Sequence, residues 1–495
     1  MSDAHLLVLS PYIALAATAV VVMLTTAFYH RHLLLAGLTA TGLAATFACV
    51  LVAGAEDRRA TALLRMNDVS LYFIGLLVVV ALAVVALSYG YLGRTERRFG
   101  DFYTLLTLGA LGGAVLAASA HFASLFLGLE VLSVSLYGLI AYPRRRPQAV
   151  EAAFKYLVLA AVTSAMLLFG MALVYAVSGT MLLDKVASAG AGLAGWEAAA
   201  YKAGLALVFA GVGFKLALVP FHMWTPDVYQ GGPAPVIAFL AAASKAAVFV
   251  VLLQSLAPLD PQRGGVLVVV LSVVAYASML AGNLLALFQQ NLKRLLAYSS
   301  IAQLGYLVVA VVSSGAAGGA RGAGTVAVAF YLTIYALALL AAFGVIAVLA
   351  HAEGEPEALS QYRGLGHRRP ALALVLSVSL LSLAGMPLTA GFIGKFFIFR
   401  AGAGAAQWGL LVVFALTSAM SLYYYLRVII TMYRLEVAPY AAALATSPGG
   451  MSAGRRAADR VAVAALVLLT ASTLLLGVYP PVLLRLIEHA ASVFR

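Results

Sequence analysis

The chain has 495 residues, of which 64% are hydrophobic and 10% charged, and its formal net charge is +13. Soluble domains carry roughly a quarter charged residues, so an ordinary soluble enzyme is excluded. The arginines fall in short turns between apolar runs, which assigns the positive charge to membrane topology and not to a nucleic-acid surface.

The single cysteine, Cys49, lies inside an apolar run. A disulfide framework, a cysteine-ligated iron–sulfur cluster and a zinc ribbon are excluded by that count.

Apolar runs of membrane length number about 14. They lie near 5–27, 33–54, 69–92, 102–118, 121–141, 151–177, 201–222, 233–256, 264–288, 293–314, 324–350, 370–400, 406–434 and 459–485. The expected fold class is an all-α polytopic membrane protein. The first run, from His5, lacks a basic leading region and a small-residue cleavage site, so it reads as a retained span.

Loops leaving odd-numbered spans hold about 16 lysines and arginines, against about 10 on the opposite side. This asymmetry predicts both termini on the outer, non-cytoplasmic face. The longer loops, 178–202, 351–369 and 435–458, are too short for a folded domain with its own core.

Residues 1–101 form the first three spans. Gly109 and Gly113 in span four have the spacing of a close helix contact. Glu130, in span five, stands alone among the 18 acidic residues in falling near the middle of a span. Such a carboxylate is forced neutral unless a cation stands nearby, and it is either a static packing pair or a member of a proton relay.

Lys155 begins span six four residues after Glu151, which fits a surface pair or a snorkelling head group as well as a relay role. GAGLAG at 190–195 matches a dinucleotide-binding pattern but has no βαβ unit around it and reads as a chance match.

The stretch from Gly211 to Lys245 is the most informative in the chain. Lys215 and Lys245 stand inside apolar runs on either side of a turn containing Pro220. A charge at mid-membrane costs roughly 3 kcal/mol and is functional by default, and a proline removes a helical hydrogen bond. His222 flanks the same break and titrates near neutrality, although a histidine at a helix end is ordinarily structural.

Lys293 and Arg294 open span ten, where Arg294 fits positive-inside anchoring. Tyr298, Ser299, Ser300 and Gln303 make the next two turns polar, with Lys293 a further relay candidate. The run 370–400 is too long for one straight crossing and must tilt or break near Gly385 and Pro387, close to Lys395. Arg427, in span 13, either snorkels or binds an anionic partner.

Spans seven and 12 thus run in opposite directions, and each joins a proline interruption to a lysine. That arrangement predicts two inverted-topology five-helix repeats, 102–256 and 264–434, followed by a last helix in 459–495.

Four stretches carry a resemblance: FKYLVLAAVTSAMLLFGMAL (154–173), VPFHMWTPDVYQGGPAPVIAFLA (219–241), NLKRLLAYSSIAQLGY (291–306) and GMPLTAGFIGKFFIF (385–399). From span three to span 13 the chain resembles the antiporter-like membrane subunits of bacterial respiratory complex I, the NADH-quinone oxidoreductase, and most closely their N type. The resemblance implies a glutamate–lysine pair, Glu130 with Lys215, a connecting Lys245, an exit-side Lys395 and an additional Lys155. The family it resembles often has a histidine where this chain has Gln303, and glutamine cannot exchange a proton near neutral pH.

As the resemblance implies, the chain itself binds no cofactor or metal. FMN, iron–sulfur clusters and quinone belong to other membrane and peripheral subunits, its partners in the bacterial inner membrane. The same lysines also suit a cation/proton antiporter subunit, the membrane subunit of an energy-converting hydrogenase, or a purely structural scaffold.

Overall fold

The computed structural model describes residues 3–54, 58–96, 99–190, 192–256, 265–314, 320–351, 354–434 and 453–491. Its helices, in order, are α1 (Asp3–Phe28), α2 (His32–Val52), α3 (Asp68–Thr95), α4 (Gly100–Ala117), α5 (Phe122–Ile140), α6 (Pro147–Ser178) and α7 (Leu183–Ala189). Then come α8 (Gly195–Leu216), α9 (Thr225–Gly231), α10 (Ala234–Phe239), α11 (Lys245–Leu256), α12 (Gly265–Leu287), α13 (Leu292–Ser314) and α14 (Ala320–Leu349). The chain continues with α15 (Leu365–Arg368), α16 (Pro370–Ala384), α17 (Ala390–Gly404), α18 (Trp408–Tyr433), α19 (Ala453–Val478) and α20 (Pro481–Ala491). A two-residue antiparallel pair, Arg58–Arg59 with Arg65–Met66, closes the loop before α3.

Among the described residues 13 helical segments are long and apolar enough to cross a membrane, and α16 is a shorter apolar helix. With α16 and α17 read as one interrupted crossing, this agrees with the count taken from the sequence. The protein is a multi-pass membrane protein.

Two helices cannot run straight, and the residues say why. The helix at span seven ends at Leu216, before Pro220, because Ala217 takes a left-handed conformation with φ of 57°. Its freed carbonyls find partners: Phe214 O accepts from the Trp224 indole at 3.0 Å, and Gly213 O from the Leu218 amide at 2.9 Å. At span 12, α16 ends at Gly385, whose φ of 82° suits glycine, and α17 starts five residues later at Ala390.

A third irregularity has no proline to announce it. Between α10 and α11 lies a π-helical turn, Leu240–Ser244, in the alanine-rich sequence just before Lys245. Single π turns inside α-helices recur at functional sites.

The centre of the bundle is built from segments with almost no surface. The most apolar stretches of Ala234–Gln254, α13 and α14 are 100%, 94% and 94% buried, against 28% for α2. These central segments are also the ones that carry the polar residues of interest.

Close helix contact involves Gly112, next to Gly113, as well as the two glycines singled out from the sequence. A Cβ on Gly112 would stand 2.5 Å from Leu132 N and 2.8 Å from Gly128 O, so here α4 and α5 meet backbone to backbone. Gly109 and Gly113 face side chains, Phe239 at 3.1 Å and Leu77 at 3.4 Å.

Candidate functional site

Lys215 is the last-turn residue of α8 and is 4% exposed. Its ammonium donates to Ser133 Oγ on α5 at 2.6 Å and lies 5.4 Å from the Tyr156 ring centre, 5.9 Å from Phe214 and 6.0 Å from Tyr137. Glu130 precedes Ser133 by three residues on the same helix, hence on the same face. Its carboxylate accepts from Ser164 Oγ of α6 at 2.5 Å. Among the described residues Lys215 is held by Ser133 and Glu130 by Ser164, so no direct ion pair joins Glu130 to Lys215.

Lys245 follows the π turn and is fully buried. It donates to Ser300 Oγ of α13, which also hydrogen-bonds to Tyr335 at 2.6 Å and Tyr229 at 3.3 Å. The Tyr229 ring centre lies 5.5 Å from the ammonium. Among the described residues no carboxylate pairs with this lysine; its polar surroundings are hydroxyls and a π face, which suit a cation and also its neutral amine.

From Ser300 the polar line continues along α13. Ser299 bonds Tyr425 of α18, and Gln303 donates to Tyr425 at 3.4 Å and to Leu383 O of α16 at 2.9 Å. Tyr331 of α14 donates to Gln303 Oε1. Thus Gln303 lies on α13 three residues beyond Ser300 and reaches the end of α16 at the break in span 12, with its amide engaged at both its N–H and its oxygen.

Lys395 of α17 reaches back across that break. Its ammonium donates to Ala384 O, the last carbonyl of α16, at 2.8 Å and to Ser418 Oγ of α18 at 2.9 Å. A cation at a helix C-terminus is stabilised by the unpaired carbonyls there. The Tyr306 ring centre lies 5.1 Å away. Lys395, Ser418, Phe392 and Phe399 line an open cavity of about 320 Å³.

The remaining candidates lie away from this line. Lys155 is exposed and pairs with Glu151 at 2.8 Å and Asp227 at 3.0 Å. Arg294 joins the same carboxylate at 2.7 Å. Burial tends to raise the Asp227 pKa, but Arg294 and Lys155 hold it below the ordinary carboxylate value. His222 is buried after Pro220, and desolvation lowers its pKa below the ordinary imidazole value.

Lys293 is 2% exposed and pairs with Glu355 at 2.7 Å. Arg427 donates to Leu287 O at 2.9 Å and Gln289 O at 2.6 Å, closing the end of α12.

Sequence reasoning missed Ser133, Ser164, Tyr229, Tyr335, Tyr425 and Ser418. Ser133 carried a signal, its spacing of three from Glu130; the others join the site only through tertiary packing.

Fold and site together define a multi-pass helical membrane protein with buried lysines on four of its described helices, α8, α11, α13 and α17. The NADH:quinone oxidoreductase/Mrp antiporter transmembrane family model matches residues 119–421. The chain belongs to this family.

It is 44% identical to NADH-quinone oxidoreductase subunit N of Ectopseudomonas mendocina, over 99% of this chain and 97% of that one. To the subunit of the same name from Methylococcus capsulatus it is 43% identical, over 100% of this chain and 96% of the relative. A chain in the structure of respiratory complex I from Thermus thermophilus with bound aureothin superposes with a TM-score of 0.77 at 36% identity, covering 96% of this chain and 98% of that one.

Proposed function

We propose that this chain is the N-type proton-translocating membrane subunit of a bacterial NADH:quinone oxidoreductase. It couples electron transfer in other subunits to proton movement through Glu130, Lys215, Lys245 and Lys395. The observation that carries this reading is the set of buried lysines on separate crossing segments, each beside a helix irregularity and each held by a hydroxyl.

NADH, FMN, iron–sulfur clusters and quinone belong to partner subunits. What this chain supplies is electrostatic. When quinone chemistry elsewhere shifts the balance between Glu130 and Lys215, Lys215 releases or takes up a proton, Lys245 follows, and Lys395 delivers a proton toward its open cavity. Moving one charge against 100 mV costs about 2.3 kcal/mol, comparable with a pKa difference of about two units at about 1.4 kcal/mol each.

The repeats 102–256 and 264–434 and the placement of both termini on the outer face of the inner membrane complete the reading. Matching contacts support the repeats: α4 packs on α5 as α12 packs on α13, and α6 on α8 as α14 on α16 and α17. Near-complete coverage of N subunits favours this role over an antiporter or hydrogenase subunit.

The test is Lys245→Ala in inverted membrane vesicles, with assembly checked on native gels. Loss of both NADH:quinone turnover and proton uptake in assembled complexes is expected; normal pumping removes the relay.

A further inference from the structure

The loop after α14 returns into the bundle and brings carboxylates to the ends of three segments. Its backbone is laced to the start of α13: Leu292 N donates to Glu357 O at 2.9 Å and Leu359 N to Gln290 O at 2.9 Å. The Glu357 side chain accepts from Gln230 and Asn291, both at 2.9 Å.

Glu355 goes deepest. One carboxylate oxygen takes Lys293 at 2.7 Å, and the other takes the backbone N–H of Ala234, the first residue of α10, at 2.8 Å. Lys293 in turn donates to Gly232 O at 2.7 Å. The two side chains are 3% and 4% exposed, and between them they hold both sides of the Gly232–Ala234 turn. Burial opposes ionisation of Glu355, but Lys293, the Ala234 amide and Tyr91 keep its pKa below the ordinary carboxylate value.

That turn is the starting point of α10, and the π turn and Lys245 follow in one unbroken helical run. The clasp therefore sets the axial position of the segment that carries Lys245.

We infer that Glu355 and Lys293 act as positioning residues: a buried ion pair that fixes the Gly232–Ala234 turn and so holds Lys245 against Ser300. The inference rests on the relay reading of Lys245. Both head groups direct hydrogen bonds to backbone, which distinguishes a clasp from a carrier that must change partners. Removing one member leaves the other as an uncompensated buried charge, whereas removing both does not.

The experiment is a double-mutant cycle in the assembled complex, with Glu355→Gln, Lys293→Gln and the two combined, alongside Glu355→Asp and Lys245→Ala. Each single glutamine variant is expected to lower NADH:quinone kcat several-fold with the KM for quinone unchanged. Glu355→Asp is expected to restore part of the rate, and the double variant to turn over faster than either single one.

Wild-type kcat in Glu355→Gln overturns the clasp. So does a double variant that is as slow as, or slower than, the worse single variant, since that is the behaviour of two proton carriers. Should Glu355→Gln fail to assemble, the double variant decides: better assembly supports the clasp, and equal failure overturns it. Normal pumping by Lys245→Ala brings down the relay reading itself; loss of pumping there with an intact Glu355→Gln rejects the clasp alone.

Discussion

The two broken crossings hold their lysines differently. At span seven, Lys215 sits before the break, on the first half-helix, surrounded by Tyr137, Tyr156 and Phe214 with one hydroxyl partner. At span 12, Lys395 sits after the break, on the second half-helix, and turns back to the carbonyl that the break exposes. The first break ends in a packed pocket, its freed carbonyl already taken by Trp224. The second opens onto a cavity of about 320 Å³. Both lysines are almost equally buried, at 4% and 6% exposed; in the relay proposed above, the cavity beside Lys395 serves as the exit side.

The sharpest way to break this comparison is Lys395→Arg. Arginine keeps the charge and the carbonyl contact but does not release its proton. Coupled turnover in assembled complexes is expected to fall by about tenfold or more, on the scale of losing a positioned proton-transfer group. A variant that pumps normally means that Lys395 is a fixed charge capping α16 and not an exit.

A smaller effect is expected between the two regions. Gln303→Leu removes the contacts to Tyr331, Tyr425 and Leu383 O. NADH-driven proton uptake is expected to drop several-fold while the complex still assembles. An unchanged rate places the connection elsewhere than along α13.

The smallest change concerns the enclosed break. Trp224→Phe removes the indole donor from Phe214 O, which keeps the Ala217 N–H at 2.9 Å, so the expected cost is about 1 kcal/mol. A thermal midpoint lowered by a few degrees, with turnover almost retained, is the expected result in a melting assay of the purified complex. No shift at all means that the freed carbonyl is satisfied in another way.

Much of this was legible in the chain because a lysine inside an apolar run is conspicuous. Lys215, Lys245 and Lys395 stand out for that reason, and the breaks follow from Pro220 and from Gly385 with Pro387. The π turn before Lys245 gave no such sign: its residues, Leu240–Ser244, fit an α-helix equally well. The partners were the least readable. Serine and tyrosine are ordinary in helices, so nothing local tells that Ser300 receives Lys245 or that Ser164 donates to Glu130. Lys293 was visible, but Glu355, on a loop more than 60 residues away, acquires its meaning only from the fold.

The central claim is that the enclosed lysine is the coupling element, and Lys215→Ala tests it most directly. Proton pumping by inverted vesicles is to be measured together with NADH:quinone electron transfer, in complexes shown to be assembled on a native gel. The account predicts that both activities fall together. Both persisting at normal rates in an assembled complex would contradict it and reduce the buried lysines to packing features.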